Sequence, residues 1–398
     1  MRFLLAITAA GLLAHAAPAD DPAPKKPTPT LKAGDKAPAF KPDKWLQGAE
    51  VKAFEPGKVY VVEFWATWCR PCIAVMPHLA DLADEYKSQG LTVIGFDSRA
   101  YDRRELAEGF VETRGPKLGY TFAWADTDDT HTAWMTAAGQ AGIPCSFVVG
   151  RDGKLAYIGE PLFLDAVLPK VLAGTWDVAK GAEEIAAAQR DYDRAYQATQ
   201  VVDPVAALTA FRAAVADRPA VAEAAYLLGP RLDLLVKNKR FAEAGVVAER
   251  VLLKAGKRGD TAALNTVAAA LTAAGAAGSR ELAGLAVKAA EINLTLAGDR
   301  DLSAVLGLAE TYAAAGREPE ARALAAKVLA DAEKAVGGDK DIWNNLQLAQ
   351  AQFLSGRPAA ARATAVKAVA AAAGMPAKTR EIVGGQAKRY GVEPKADK

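Results

Sequence analysis

Two of the three cysteines in this 398-residue chain lie three positions apart, in the segment Cys69-Arg70-Pro71-Cys72. The pair follows a β-branched and aromatic run, Val59 to Phe64, that is typical of a buried strand, and it opens a segment with a helical pattern. We therefore expect Cys69 to cap a helix, where free N–H groups, the helix dipole and the guanidinium of Arg70 stabilise a thiolate. Cys72 then lies one turn further in, within reach of a disulfide bond to Cys69.

The positions of the two sulfur atoms predict different roles for them. Thiol–disulfide exchange needs a thiolate and proceeds through a mixed disulfide. At the exposed tip of the helix, Cys69 is expected to attack a substrate disulfide, or to be attacked by a substrate thiol. Cys72 is expected to resolve the mixed disulfide. The prediction is a redox-active Cys69–Cys72 disulfide that works without a cofactor.

Composition argues against several other kinds of protein. A net charge of +2 gives no support to a nucleic-acid partner, and three cysteines are too few for a disulfide-stapled scaffold. A zinc site would need two more ligands, and the surrounding region offers only His78 and His131 and no second CxxC. We therefore expect no metal. A purely structural disulfide in an inactive domain stays open as an alternative.

The first residues have the pattern of a targeting signal. Arg2 precedes an apolar run from Phe3 to Ala14, and Ala17-Pro18-Ala19 offers a cleavage site, so residues 1–19 are predicted to be a signal peptide. The run is too short to span a bilayer, although an uncleaved anchor is the alternative. Residues 20–33 are rich in Pro and Lys and are expected to form a linker. The predicted location is periplasmic or otherwise extracytoplasmic.

Strand and helix patterns alternate between residues 34 and 175. Apolar runs at Val59 to Phe64 and Leu91 to Phe96 predict buried strands. Ser146 to Val149 and Leu155 to Ile158 flank the turn sequence RDGK, which predicts an antiparallel hairpin. The pattern predicts an α/β domain with a mixed sheet flanked by helices.

From residue 180 to 390 alanine dominates and strand patterns are absent. A pattern of small and aromatic residues recurs along this region, and its first copy contains Ala207, Phe211, Ala214 and Pro219. Gly316 and Gly356 fit turns between paired helices. Both features resemble tetratricopeptide (TPR) repeats. We expect an all-α TPR-like repeat domain whose concave surface binds a protein partner. An irregular Ala-rich bundle is the alternative.

The segment from Phe64 to Cys72 (FWATWCRPC) closely resembles the active site of thioredoxin-like proteins, and most of all their exported TlpA/ResA branch. Gly34 to Phe40 (GDKAPAF) resembles the opening of that branch and of peroxiredoxins. Gly142-Ile143-Pro144 resembles the cis-proline loop. The resemblance covers residues 34–175. It implies a thioredoxin-like fold in which this loop faces the CxxC and pairs with substrate through its backbone.

The resemblance also implies roles for single residues. Glu63 occupies the position of a buried acid that transfers a proton to or from Cys72 during resolution. A glutamate common in ResA-like members, three residues after the second cysteine, is replaced here by Val75. Pro144 belongs with the catalytic residues.

Three further residues are expected around the disulfide. Trp68 and Ile143, together with Pro144, are predicted to bind substrate. Cys145 stands where the family commonly has Thr. It is either a third thiol that modulates the disulfide or a small residue that fills a buried space.

The function implied is that of a thiol–disulfide oxidoreductase acting on protein substrates. TlpA-like proteins usually reduce their partners and depend on a membrane-bound electron donor, which favours a reductase here. One alternative is an interaction scaffold with an idle or regulatory thioredoxin-like domain. Another is a peroxiredoxin, although the P-x3-T-x2-C context of its peroxidatic cysteine is absent.

Overall fold

The computed structural model describes residues 28–276 and 279–393. The predicted signal peptide, and the linker as far as residue 27, lie outside the described residues. Within the part of the chain that the structure describes, no helix is both long enough and apolar enough to cross a bilayer.

Six strands form one mixed sheet in the order β1-β4-β3-β2-β5-β6. Strands β2, β3 and β4 are parallel, whereas β1, β5 and β6 each run antiparallel to a neighbour. The strands are β1 (Lys44–Gln47), β2 (Val59–Phe64), β3 (Leu91–Ser98), β4 (Thr121–Ala125), β5 (Cys145–Val149) and β6 (Leu155–Gly159). The short edge strand β1 has no counterpart in the sequence expectations.

Helices cover both faces of this sheet. They are α1 (Arg70–Tyr86), α2 (Arg104–Leu118), α3 (Asp129–His131), which continues as a π-helical turn over Thr132–Thr136, and α4 (Leu164–Leu172). Helices α1, α2 and α4 bury one face, around Trp65, Leu79 and Phe122. The opposite face packs an aromatic cluster in which Phe64 and Trp134 are fully buried. Burial on both faces explains the continuous apolar runs in β2 and β3.

The rest of the chain is helical. Its helices are α5 (Val178–Ala198), α6 (Pro204–Val215), α7 (Ala225–Lys237), α8 (Phe241–Arg258), α9 (Thr261–Ala276), α10 (Arg280–Ala297), α11 (Leu302–Ala314), α12 (Glu318–Ala335), α13 (Ile342–Leu354), α14 (Pro358–Ala371) and α15 (Ala377–Lys388). Gly316 and Gly356 have positive φ angles in the turns that follow α11 and α13. Fully buried alanines, among them Ala244 and Ala325, let neighbouring helices approach closely. The assignment of these helices to the TPR class stays a prediction.

The helical part packs against the active-site helix α1. Arg258, at the end of α8, is only 4% exposed at its side chain. It donates to the carboxylates of Asp81 and Asp84, at 2.9 and 2.6 Å, and to the carbonyl of Ala80 at 3.0 Å. Leu162 contacts the apolar cores of both parts. The two parts of the chain are therefore joined by apolar packing and by a buried guanidinium.

Candidate active site

Cys69 and Cys72 form a disulfide at the start of α1, with their Cα atoms 5.2 Å apart. Cys69 is the N-cap of the helix, and its Sγ accepts a hydrogen bond from the backbone N–H of Cys72 at 3.2 Å. No acidic residue lies in the first turn. The free N–H groups and the helix dipole therefore act on Cys69 without an opposing charge in that turn, which favours its thiolate after reduction.

The exposure of the pair differs from the sequence expectation. The helix tip is exposed at Arg70 and Pro71, but Cys69 itself is only 3% exposed in the disulfide form. Both cysteines belong to the apolar cluster on the α1 face, and Ile143 packs against that cluster. Trp68, which directly precedes Cys69, is a large apolar side chain that is 61% exposed.

The loop before β5 contains a cis peptide bond between Ile143 and Pro144. Its position follows from the strand register, because Cys145 at the start of β5 pairs with Phe64 at the end of β2. The chain leaves β2 at Phe64 and reaches Cys69 five residues later. The sheet therefore brings the Ile143–Pro144 loop and the CxxC to the same edge, although they are about 70 residues apart.

Glu63 is almost completely buried and lies on the sheet face covered by α1, since Val61 and Trp65 two residues to either side belong to that face. The hydroxyl of Ser146 donates to Oε2, whereas Oε1 has no hydrogen-bond partner among the described residues. Burial raises the pKa of Glu63 to about 8, against the opposing effect of the Ser146 hydrogen bond. A carboxyl with this pKa can hold or release a proton near neutral pH.

Cys145 lies on the other face of the sheet. It is free and buried, and it packs in the aromatic cluster with Phe64, away from the cluster that holds Cys69 and Cys72. Burial raises the pKa of the Cys145 thiol, and the charge of Glu63 raises it further. Of the two interpretations, this placement favours a small residue that fills core space.

Both histidines of this region make polar contacts that the sequence did not predict. His78 Nε2 lies 2.8 Å from a carboxylate oxygen of Asp165 on α4, and the carboxylate raises the pKa of His78 against the opposing effect of burial. His131 Nε2 lies 2.9 Å from the phenol oxygen of Tyr101. Among the described residues, no group of three or more His, Cys, Asp or Glu side chains is arranged to hold a metal ion.

Sequence reasoning missed two acidic residues, Asp97 near the end of β3 and Asp102 in the loop that follows it. Asp97 is fully buried, its Oδ2 has no partner among the described residues, and burial raises its pKa to about 8. Asp102 accepts hydrogen bonds from Thr67 in the segment that leads to Cys69. The signal for Asp97 was available, because it directly follows the apolar run of β3. Asp102 carries no local signal.

Comparisons with known proteins match the α/β part. A family model described as Redoxin matches residues 32–164. The chain is 35% identical over 158 residues to the thiol:disulfide interchange protein HelX of Rhodobacter capsulatus, covering 37% of this chain and 82% of HelX. It is 31% identical over 152 residues to Protein FixW of Rhizobium leguminosarum, covering 37% of this chain and 69% of FixW.

A third relative is the thiol-disulfide oxidoreductase ResA of Bacillus anthracis, 30% identical over 119 residues, which cover 29% of this chain and 64% of ResA. These relatives confirm the predicted thioredoxin-like fold and the predicted enzyme class. They agree with the geometry, in which the helix-capping disulfide and the cis-proline loop lie at the same edge of the sheet, and a buried acid lies on the sheet face covered by α1. The chain belongs to the TlpA/ResA-like family of thioredoxin-like thiol–disulfide oxidoreductases.

Proposed function

We propose that the chain is an exported reductase of protein disulfides, with Cys69 as the attacking and Cys72 as the resolving thiol. The observation that carries the proposal is the placement of Cys69 as the N-cap of α1, with its sulfur accepting from the N–H of Cys72. The same hydrogen bond that caps the helix would stabilise the Cys69 thiolate. Reduction rather than oxidation is what the resemblance to the TlpA/ResA branch implies.

The reaction balances as two exchanges. The Cys69 thiolate attacks one sulfur of the substrate disulfide, forms a mixed disulfide and releases the other substrate sulfur as a thiolate. Cys72 then loses its proton and attacks the Cys69 sulfur, which forms the Cys69–Cys72 disulfide and releases the second substrate thiolate. Two electrons pass from the enzyme dithiol to the substrate. The carboxyl of Glu63, buried on the same face, is the proposed acceptor of the Cys72 proton; it accepts the proton in its ionised form, whose share grows as the pH rises toward its pKa of about 8.

Substrate contact is assigned to the residues around the disulfide. Trp68 offers an exposed apolar surface, and the backbone at Ile143 and Pro144 lies at the same edge of the sheet. Re-reduction of the Cys69–Cys72 disulfide requires an external dithiol, for which we propose a membrane-bound donor. Residues 1–19 would direct the chain to the compartment that this donor faces.

The helical part is proposed to hold a protein partner. A groove among α11, α13 and the end of α15 encloses a cavity of about 460 Å³, lined in part by Glu310, Trp343, Gln350 and Arg389. Trp343 and Phe353 on α13 are both exposed. Aromatic and arginine side chains of this kind are enriched at protein interfaces.

Insulin reduction with dithiothreitol as the electron source tests the enzyme. Wild type is expected to turn over and Cys69→Ser to be inactive. Cys72→Ser that has been reduced and then freed of dithiothreitol is expected to accumulate a mixed disulfide with an insulin chain, which mass spectrometry detects. Cys145→Ser is the matched control and should behave as wild type, because its thiol is buried on the other face. Equal turnover by wild type and Cys69→Ser would instead favour the scaffold with an idle redox part.

The direction of the redox reaction and the export of the chain need separate measurements. Equilibration with glutathione is expected to give a reduction potential near that of thioredoxin, about −270 mV, rather than near the strong oxidant DsbA, about −120 mV. A value near the latter would contradict the reductase assignment. Fractionation of cells that express the full chain should place it outside the cytoplasm, and retention of the unprocessed chain inside would contradict export.

A further inference from the structure

The loop after β3 contacts the segment that leads into the active site. The carboxylate oxygen Oδ2 of Asp102 accepts a hydrogen bond from the backbone N–H of Thr67 at 2.8 Å and another from the Thr67 hydroxyl. The indole N–H of Trp68 donates to the carbonyl oxygen of Tyr101 at 2.8 Å. Both residues that immediately precede Cys69 are therefore hydrogen-bonded to two consecutive residues of this loop.

The loop is itself held at several points. The backbone N–H groups of Tyr101 and Asp102 both donate to the carbonyl of Ser98, at 2.9 and 3.1 Å. The ring of Tyr101 meets that of His131 edge to face at 4.9 Å, and its phenol oxygen lies 2.9 Å from Nε2. The acceptors for Thr67 and Trp68 are thus fixed by the end of β3 on one side and by α3 on the other.

We propose that Asp102 is a positioning residue of the thiol–disulfide exchange reaction, which holds Thr67 and Trp68 so that Trp68 presents a fixed surface to protein substrates beside Cys69. Trp68 is 61% exposed, and an exposed side chain of this size loses conformational freedom when a partner binds. The hydrogen bond to Tyr101 restricts the indole before binding and so lowers that cost. The inference rests on exchange chemistry at Cys69, not on its direction.

The charge distribution of the loop agrees with this role. Asp97 at the end of β3 is buried, and both its burial and the nearby charge of Asp102 raise its pKa, to about 8. At neutral pH the buried carboxyl of Asp97 therefore stays mainly protonated. One oxygen of Asp102 serves both donors of Thr67, and an amide oxygen in the same place can accept the same two hydrogen bonds.

The test compares Asp102→Ala, which removes the acceptor, with Asp102→Asn, which keeps an acceptor oxygen in place. Asp128→Asn is the control, since Asp128 is an exposed acid whose carboxylate lies 3.9 Å from Arg99. Two substrates are used, insulin and a small aromatic disulfide. Trp68 emission is isolated in each background by subtracting the spectrum of the matching Trp68→Phe protein.

Asp102→Ala is expected to raise the KM for insulin about tenfold, with kcat and the rate on the small disulfide changed less than about twofold, because two hydrogen bonds are lost away from the sulfur atoms. Trp68 emission should shift toward that of a solvated indole. Asp102→Asn should restore both readouts to within about twofold of wild type. A protein that was merely destabilised would show no such split between KM and kcat.

An unchanged insulin KM together with unchanged Trp68 emission in Asp102→Ala would overturn the proposal, and so would an equal loss in Asp102→Asn. If Asp102→Ala fails to fold, Thr67→Val removes one of the two hydrogen bonds and should raise the insulin KM about threefold. If wild type itself does not reduce insulin, the proposed reductase function fails. The emission of Trp68 still decides whether Asp102 positions the indole.

Discussion

Replacement of Glu63 by Gln should remove a large pH dependence of stability. The carboxyl of Glu63 is fully buried, and burial raises its pKa from 4.5 to about 8. The unfolded chain exposes the same carboxyl to water, where it ionises near 4.5. Between these two values the folded protein binds more protons than the unfolded chain, so the free energy of unfolding must fall as the pH rises.

The magnitude follows from the two pKa values. Each pH unit between them is worth about 1.4 kcal/mol, so the full loss is about 5 kcal/mol, of which between about 3 and 4 kcal/mol falls between pH 5 and pH 8. The contribution is complete below pH 4.5 and is lost as the pH passes through 8. Glutamine does not titrate, so the Glu63→Gln protein lacks this part of the slope. The raised pKa of Asp97 gives a pH dependence of the same sign, but this contribution is present in both proteins and cancels in the comparison.

The assay is urea unfolding of the oxidised proteins at pH 5 and pH 8, followed by near-ultraviolet circular dichroism of the aromatic cluster. Relative to wild type, Glu63→Gln should gain between about 3 and 4 kcal/mol on going from pH 5 to pH 8. Glu55→Gln is the control, because Glu55 is an exposed acid whose carboxylate forms an ion pair with Lys58 on the surface. If the difference between Glu63→Gln and wild type is the same at both pH values, Glu63 ionises at its ordinary pKa and the burial argument is refuted.

Three further predictions each depend on one local feature of the structure. Arg258→Ala removes the buried guanidinium that pairs with Asp81 and should lower the free energy of unfolding in urea by about 2 kcal/mol. This value is reduced because solvent screens the second carboxylate, that of Asp84. An unchanged urea midpoint would show that apolar packing alone joins the two parts. Gly95→Ala would place a Cβ 2.7 Å from the ring of Phe122 and should cost between about 1 and 3 kcal/mol, measured as a lower melting temperature. Native alkylation of the reduced protein should label Cys69 rapidly and Cys145 only after denaturation; rapid labelling of Cys145 would contradict its burial.

Elements with a strong local pattern were predictable from the sequence. Strands β2 and β3 are buried on both faces, which requires the continuous apolar runs seen in the sequence. The RDGK turn joins β5 to β6. Each of these elements is therefore marked by a local sequence pattern. The short strand β1 was missed because a bulge between Trp45 and Gln47 breaks the alternation that would reveal it. The apolar run in the sequence placed the end of β3 at Phe96, two residues too early. Asp97 and Ser98 are polar, but they continue the strand and are buried.

The site was predictable only as far as its motif extends. The CxxC and the proline loop carry recognisable residues, whereas the side of the sheet on which Cys145 lies depends on the register of β5 against Phe64. The hydrogen bonds from Thr67 to Asp102 join residues 35 positions apart, and neither residue has a spacing that marks it. Contacts of this kind arise from the packing of the loop after β3, which no local pattern encodes.

The least predictable feature is the attachment of the helical part to the helix that carries the disulfide. Arg258 contacts Asp81 and Asp84, 177 and 174 residues away, and all of these would be interpreted from sequence as solvated charges. Helix α1 thus has two functions along its length, with Cys69 at its N-terminus and the carboxylates for Arg258 three to four turns later. Because a buried guanidinium tolerates little displacement from its partners, a protein held by the helical part would be presented to the disulfide in a restricted range of orientations.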